Sequence, residues 1–225
     1  MKIVVSAGGT GGHIYPALAI IKKFQECEKD LEVLYIGTHN RMEKDIVPKI
    51  GIKYIGLEIY GFSKTNIVRD IKNIFLIKKA MYKCLEVFNK FKPDIVIGCG
   101  GYVTFPVIKA AKKLGIKTFI HEQNSIPGKS NIHLSKYADL VGISFKNSQS
   151  YFGNAKKVVY INEPLYNYVH YNNGAYTASF ADKSIRDQKA SIDILVDFFN
   201  NVPDKEEFVL SLKKAALQIK AELLI

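Results

Sequence analysis

The sequence predicts an α/β protein, a parallel sheet covered by helices on both faces and followed by a C-terminal helical appendage. Three observations carry this. Short Val/Ile-rich runs alternate with amphipathic stretches at 20–35-residue intervals through residue 160. Glycine-rich turns follow two of those runs. Beyond residue 160 the strand-like runs stop and two helical patterns take over. Strand–helix alternation is the signature of a parallel sheet buried on both sides.

Element by element, Lys2–Ser6 (KIVVS) is a run of buried-strand residues, then a glycine loop, then a helix over about Ile14–Glu28. Glu32–Gly37 and Ile52–Leu57 are the next strands, with a short helical turn near Glu43–Lys49 between them. A helical stretch follows from about Asn66 to Phe91. Asp94–Gly98, Thr118–His121 and Leu140–Ile143 are further strands, with a helix over Val107–Leu114 between the first two, and Val158–Ile161 is one more. At 100° per residue, Ile67, Ile71, Ile74, Ile77, Met81, Leu85 and Phe88 share one face of the long helix, which is expected to pack inward. Arg69, Lys72, Lys79 and Lys83 gather opposite, around Leu76, while Lys78 projects into the apolar face. Cations around an exposed leucine suit an anionic membrane surface.

Charge divides the chain. Residues 1–160 hold 25 Lys/Arg against 12 Asp/Glu, a net +13, and residues 161–225 hold 7 against 9, a net −2. The step near residue 160 marks a boundary between a basic domain and a tail, and a basic domain implies an anionic partner. Nucleic acid, phospholipid headgroups and a phosphorylated substrate all meet that description. Cys27, Cys84 and Cys99 are odd in number and lack metal-ligand spacing, so they read as free thiols in a reducing compartment. No signal-peptide core or membrane-spanning run is present in the sequence, so a cytoplasmic location with peripheral membrane contact is expected.

Three loops at strand ends can carry chemistry. The first, Gly8-Gly9-Thr10-Gly11-Gly12-His13, lies between a strand and a helix, where glycines let backbone N–H groups approach a ligand and the helix N-terminus favours phosphate. It lacks the Gly-Lys-Ser/Thr ending of a P-loop, and Ile14 occupies the third glycine position of a dinucleotide fingerprint. The second, Gly98-Cys99-Gly100-Gly101-Tyr102, repeats the device, and two such turns at one sheet edge point to an extended anion such as a diphosphate. The third, His121-Glu122-Gln123-Asn124, offers an imidazole, a carboxylate and an amide at one strand end.

Gly8–Ala19 (GGTGGHIYPALA), Lys92–Tyr102 (KPDIVIGCGGY) and His121–Asn124 (HEQN), with Arg41–Val47 and Tyr60-Gly61-Phe62, are similar in order and spacing to the glycine-rich loops of the MurG family of glycosyltransferases. The resemblance covers about residues 1–160. It implies the Rossmann-like, acceptor-binding N-terminal domain of the glycosyltransferase-B fold. The implied reaction is inverting, metal-independent and cofactor-free transfer of N-acetylglucosamine from UDP-N-acetylglucosamine to the muramyl hydroxyl of lipid I, in peptidoglycan synthesis at the inner face of the cell membrane. By the same resemblance Gly8, Gly9, Gly100, Gly101 and Tyr102 would hold the acceptor diphosphate, and Thr10, Gly11, Gly12 and Asn124 would reach the donor. His13 would be the general base, with Glu122 the next candidate. Nucleic acid is not among the implied partners, nor is a metal site.

The resemblance stops near residue 160. Where the family has an Asn-Pro-Val-Arg-like segment, this chain reads Asn162-Glu163-Pro164-Leu165. Residues Pro164–Ser179 instead resemble a short C-terminal segment of family 2 glycosyltransferases. A tyrosine-rich linker and two helical patterns, about Asp182–Asn200 and Asp204–Leu224, complete the 161–225 tail, and a donor-binding unit is not legible in it. Three readings stay open: a transferase completed by a separate donor-domain chain, a non-catalytic lipid-pyrophosphate-binding module, and a truncated or recombined product. The 225-residue chain alone is therefore expected to show negligible transfer, because stabilising the leaving UDP needs groups that its sequence does not display. A radiolabelled donor incubated with a soluble lipid I analogue checks this, and turnover by the chain alone would refute it.

Overall fold

The computed structural model describes residues 1–62 and 67–161. The tyrosine-rich linker, both tail helices and the family 2-like segment lie outside the described residues. In chain order the elements are β1 (Lys2–Ser6), α1 (Gly11–Cys27), β2 (Glu32–Thr38), α2 (Glu43–Lys49), β3 (Lys53–Leu57), α3 (Ile67–Phe91), β4 (Ile95–Gly98), α4 (Thr104–Lys113), β5 (Lys117–Glu122), α5 (Lys129–Ser135), β6 (Leu140–Ile143), a 3-10 helix (Lys146–Phe152) and β7 (Val158–Tyr160). The seven strands form one sheet in the order β3-β2-β1-β4-β5-β6-β7, and every pair is parallel.

Strand alternation divides the core. Ile3 and Val5 of β1, Tyr35 of β2 and Ile95 and Ile97 of β4 face α1, where Ala17, Ile20, Ile21 and Phe24 meet them. Val4, Leu34, Ile36 and Val96 face the other way, toward Ala80, Cys84 and Phe88 of α3 and Val107, Ile108, Ala110 and Ala111 of α4. Period-2 burial on each strand and a helical stripe on each covering element satisfy both layers at once. From β1 the chain runs outward to β3, then returns to place β4 on β1's other side. Strand order reverses at β1/β4, and in open α/β sheets a crevice forms there at the carboxyl ends of the strands. The two glycine-rich turns follow β1 and β4.

The strands lie where the sequence pattern puts them, to within a residue or so at their ends. The helices differ more. Both α1 and α4 start three residues earlier than expected, because glycine and Thr104 provide the first turn before the apolar pattern begins. The short polar elements α5 and the 3-10 helix carry no clear period and are not legible beforehand.

The face of α3 requires a correction. Its buried stripe is Asn73, Ala80, Cys84 and Phe88, with Ile77, Met81 and Leu85 of the expected face partly buried against the same core, whereas Ile71 and Ile74 are exposed. The cause is local. Asn73 accepts the Tyr60 N–H and donates to the Tyr60 carbonyl, which holds an amide inward, and small Ala80 and Cys84 let α3 lie against α4. Ile71 (54% exposed), Ile74, Phe75 (66%) and Tyr82 therefore face outward among exposed Lys72, Lys78 and Lys79, and Leu76 is half-buried. Lys78, which seemed to spoil an inner face, belongs to an outer one. The side chain of Ile67 lies outside the described residues. Among the described residues no helix is long and apolar enough to cross a membrane.

This orientation predicts unequal costs. Phe88→Ala should destabilise the domain by about 3–5 kcal/mol, the range for a large buried aromatic, whereas Phe75→Ser should change stability by no more than about 0.5 kcal/mol. Urea unfolding of the two variants measures this, and equal costs would mean that the helix is rotated.

Candidate functional site at the carboxyl edge of the sheet

The glycine turns after β1 and β4 touch. Gly8 N–H donates to the Gly100 carbonyl at 3.3 Å, and Cys99 N–H donates to the Ser6 carbonyl at 2.9 Å. Gly101 sits so close to Gly8 that a Cβ would collide with the Gly8 carbonyl. It also has a φ of +87°, where side chains are strained. Gly100 (φ +107°) lies against the His13 imidazole, whose Nε2 would be 2.9 Å from any Cβ there. Thr104 ties the second turn down by donating from Oγ1 to the Gly100 carbonyl at 2.8 Å.

His13 stands in the first turn of α1, between the two glycine turns. Its Nδ1 lies 3.2 Å from Thr10 Oγ1. Burial pushes its pKa below the ordinary imidazole value, and the Glu122 and Glu43 carboxylates and the Gly8 backbone oppose that shift in part. The ring is thus neutral near pH 7, the form a general base requires.

The third loop joins the same edge. Gln123 Nε2 donates to the Gly12 carbonyl at 3.0 Å, linking β5's end to the first loop. Glu122 is buried, and both of its oxygens are engaged. Oε1 accepts from Asn124 N–H and Nδ2, and Oε2 accepts from Gly128 N–H and Asn131 Nδ2, all within 3.0 Å. With four donors already on it, this carboxylate organises the loop and holds a fixed negative charge near His13. Asn124 is exposed beside it. His121 is a core histidine. Its Nε2 pairs with Ser144 Oγ at 3.0 Å, and full burial lowers its pKa to about 4.

All the residues singled out from the sequence therefore converge on one edge, but not every N–H is open to a ligand. Gly8 and Gly9 use theirs inside the protein, on the Gly100 carbonyl and the Glu43 carboxylate. Among the described residues, the amides of Gly11, Gly12, Gly101 and Tyr102 have no protein partner. Gly11 and Gly12 are the opening residues of α1, where N–H groups lack intrahelical acceptors. The edge can thus receive an anion on main-chain amides and set a neutral imidazole beside it. Sequence reasoning left Glu43, Gln123, Thr104 and Asn131 without roles. Their only signal was place: Gln123 directly follows β5, and Glu43, Thr104 and Asn131 are polar residues in the first turns of α2, α4 and α5.

A family profile for the glycosyltransferase family 28 N-terminal domain matches residues 3–143. A Bacillus licheniformis UDP-N-acetylglucosamine–N-acetylmuramyl-(pentapeptide) pyrophosphoryl-undecaprenol N-acetylglucosamine transferase is 51% identical over 164 residues, 73% of this chain and 44% of that protein. The Bacillus subtilis protein of the same description is 47% identical over 164 residues, covering 45% of its length. The crystal structure of Acinetobacter baumannii MurG superposes with a TM-score of 0.60 at 33% identity, over 71% of this chain and 45% of that one. The chain thus spans a little under half the length of the relatives it matches. With the profile covering residues 3–143 of 225, the chain belongs to glycosyltransferase family 28, whose N-terminal domain it carries.

Proposed function

We propose that this domain is the acceptor-binding half of an N-acetylglucosaminyltransferase acting on lipid I, with UDP-N-acetylglucosamine as donor. The observation that carries the reading is the neutral His13 imidazole set against Gly100, between two glycine turns whose remaining amides suit a diphosphate. The acceptor diphosphate lies along the amides of Gly101, Tyr102 and, in place of the donor contact the resemblance implies for them, Gly11 and Gly12 at the α1 N-terminus, and Gly8 and Gly9 shape the cradle from behind. His13 takes the proton of the acceptor hydroxyl as that oxygen bonds to the anomeric carbon and the bond to UDP breaks. Asn124 and Thr10, exposed at the rim, are placed to meet the donor. Glu122 serves His13 by position and charge. A donor-binding unit, which the described residues do not include, completes the reaction.

The outer face of α3 extends the proposal to the membrane. Ile71, Ile74, Phe75 and Tyr82 form an exposed apolar strip flanked by Lys72, Lys78 and Lys79. The strip enters the interface of an anionic bilayer, where each nearby cation contributes roughly 1 kcal/mol. A lipid-linked substrate and a peripheral attachment on the cytoplasmic leaflet are then one arrangement.

Two outcomes follow. With a donor domain supplied, His13→Ala should slow transfer about 10²–10⁴-fold with little change in acceptor binding. The acid limb of the wild-type rate profile should fall below pH 6.5, since only the deprotonated ring acts and burial holds its pKa down. A variant as fast as wild type would remove His13 from the chemistry. Separately, sedimentation with phosphatidylglycerol vesicles should retain the protein, and phosphatidylcholine vesicles or Phe75→Ser with Lys78→Glu should release it. Binding indifferent to both would discard the α3 face.

A further inference from the structure

Glu43 is a carboxylate with no exposed surface, at the start of α2 and directly beneath the first glycine turn. No Lys, Arg or His side chain pairs with it among the described residues. Its partners are neutral donors. Oε1 accepts from Thr38 N–H at 3.0 Å and Thr38 Oγ1 at 2.6 Å, and Oε2 accepts from Gly9 N–H at 3.3 Å. The surroundings are cut to admit it. A Cβ on Gly37 would lie 2.7 Å from Glu43 Cγ, and a Cβ on Gly8 would strike its carboxylate. Tyr54 braces the same corner by donating from Oη to the Thr38 carbonyl.

A buried anion behind a cradle for anions is costly on its face, since it repels the ligand and loses its own hydration. Its placement therefore calls for a compensating role, and the hydrogen bonds supply one. Glu43 joins the loop after β1 to the end of β2, and it withdraws the Gly9 N–H from the loop while the amides of Gly11 and Gly12 have no partner among the described residues.

We propose that Glu43 is a positioning residue for the acceptor site: its carboxylate clamps the Gly9 amide to the end of β2 and so aims the amides of Gly11 and Gly12 at the diphosphate. The proposal rests on the diphosphate reading given above. It assigns Gly9 a backbone role, through its φ of +92°, in place of a ligand contact. Glu43 also acts on His13 through space, because its negative charge favours the protonated ring. The other charge facing that imidazole is Glu122, with the Gly8 backbone alongside.

The two accounts of Glu43 differ in sign. As a mere buried charge it repels pyrophosphate, so Glu43→Gln would tighten binding. As a clamp it is needed, because one side of a glutamine amide must turn its NH₂ toward a donor, Gly9 N–H or the Thr38 pair. Glu43→Gln should then weaken inorganic pyrophosphate binding by the 225-residue chain roughly tenfold, the scale of a lost hydrogen bond to a charged group. Equal or tighter binding overturns the proposal. Amide spectra of the wild-type chain need no variant to fold. On addition of pyrophosphate the Gly11 and Gly12 signals should move and the Gly9 amide, which its hydrogen bond to Glu43 should protect from exchange, should stay, and a Gly9 amide that shifts with them overturns the clamp. Imidazole titration in Glu43→Gln should show the His13 pKa below its wild-type value. If wild-type protein ignores pyrophosphate, the diphosphate reading fails by itself. The clamp is then decided by Gly9 exchange and the His13 titration in Glu43→Gln, and no change in either refutes it.

Discussion

The site depends on the contact between two main chains at the switch point of the sheet. Gly101 rests on the Gly8 carbonyl, and Gly8 returns a hydrogen bond to Gly100. Two strand-ending turns can approach this closely only if neither carries a side chain at the contact. Everything chemical follows from that approach. It leaves a slot in which the His13 ring lies against Gly100, and it brings the amides of two separate turns to one edge. A parallel sheet is suited to this, because all its strands deliver their carboxyl ends, and so their loops, to the same side.

A second constraint is the handling of buried charge. Glu43 and Glu122 are both withdrawn from solvent near His13, and among the described residues neither pairs with a cation. Hydrogen bonds from amides and hydroxyls take the place of water around each, three for Glu43 and four for Glu122. Such a carboxylate is rigid in a way an exposed one is not, since any rotation leaves donors and acceptors unmatched in a weakly polar interior. Two fixed negative charges then offset part of the burial penalty that an imidazolium would meet, so His13 can take a proton in turnover and still rest neutral.

Much of this was legible beforehand because it is written in residue types with few alternative meanings. Val/Ile runs such as Lys2–Ser6 are strands, and four glycines within Gly8–Gly12 admit little else than a close main-chain approach. The orientation of the first turns of α3 was not legible, because an apolar count rewards Ile71 and Ile74 and has no way to know that the peptide of Tyr60 needs Asn73. Glu43 was hidden for a similar reason. A glutamate at a helix start usually answers the helix dipole from the surface, and only the third dimension places Gly9 above it. The cationic character of residues 1–160 speaks only to the outer surface, and the polar residues that build the site's inner frame carry no periodicity by which to find them.

The fit of Glu43 between Gly8 and Gly37 has a consequence for how such a domain changes over generations. Enlarging either glycine strikes the Glu43 side chain, and shortening the acid leaves the Gly9 and Thr38 donors without their acceptor. No single replacement among the three reaches a comparable arrangement, so drift at one position is blocked by the state of the other two. The corner should therefore change as a unit, and two lineages that diverge widely over the outer helices should still share it whole or have rebuilt it entirely.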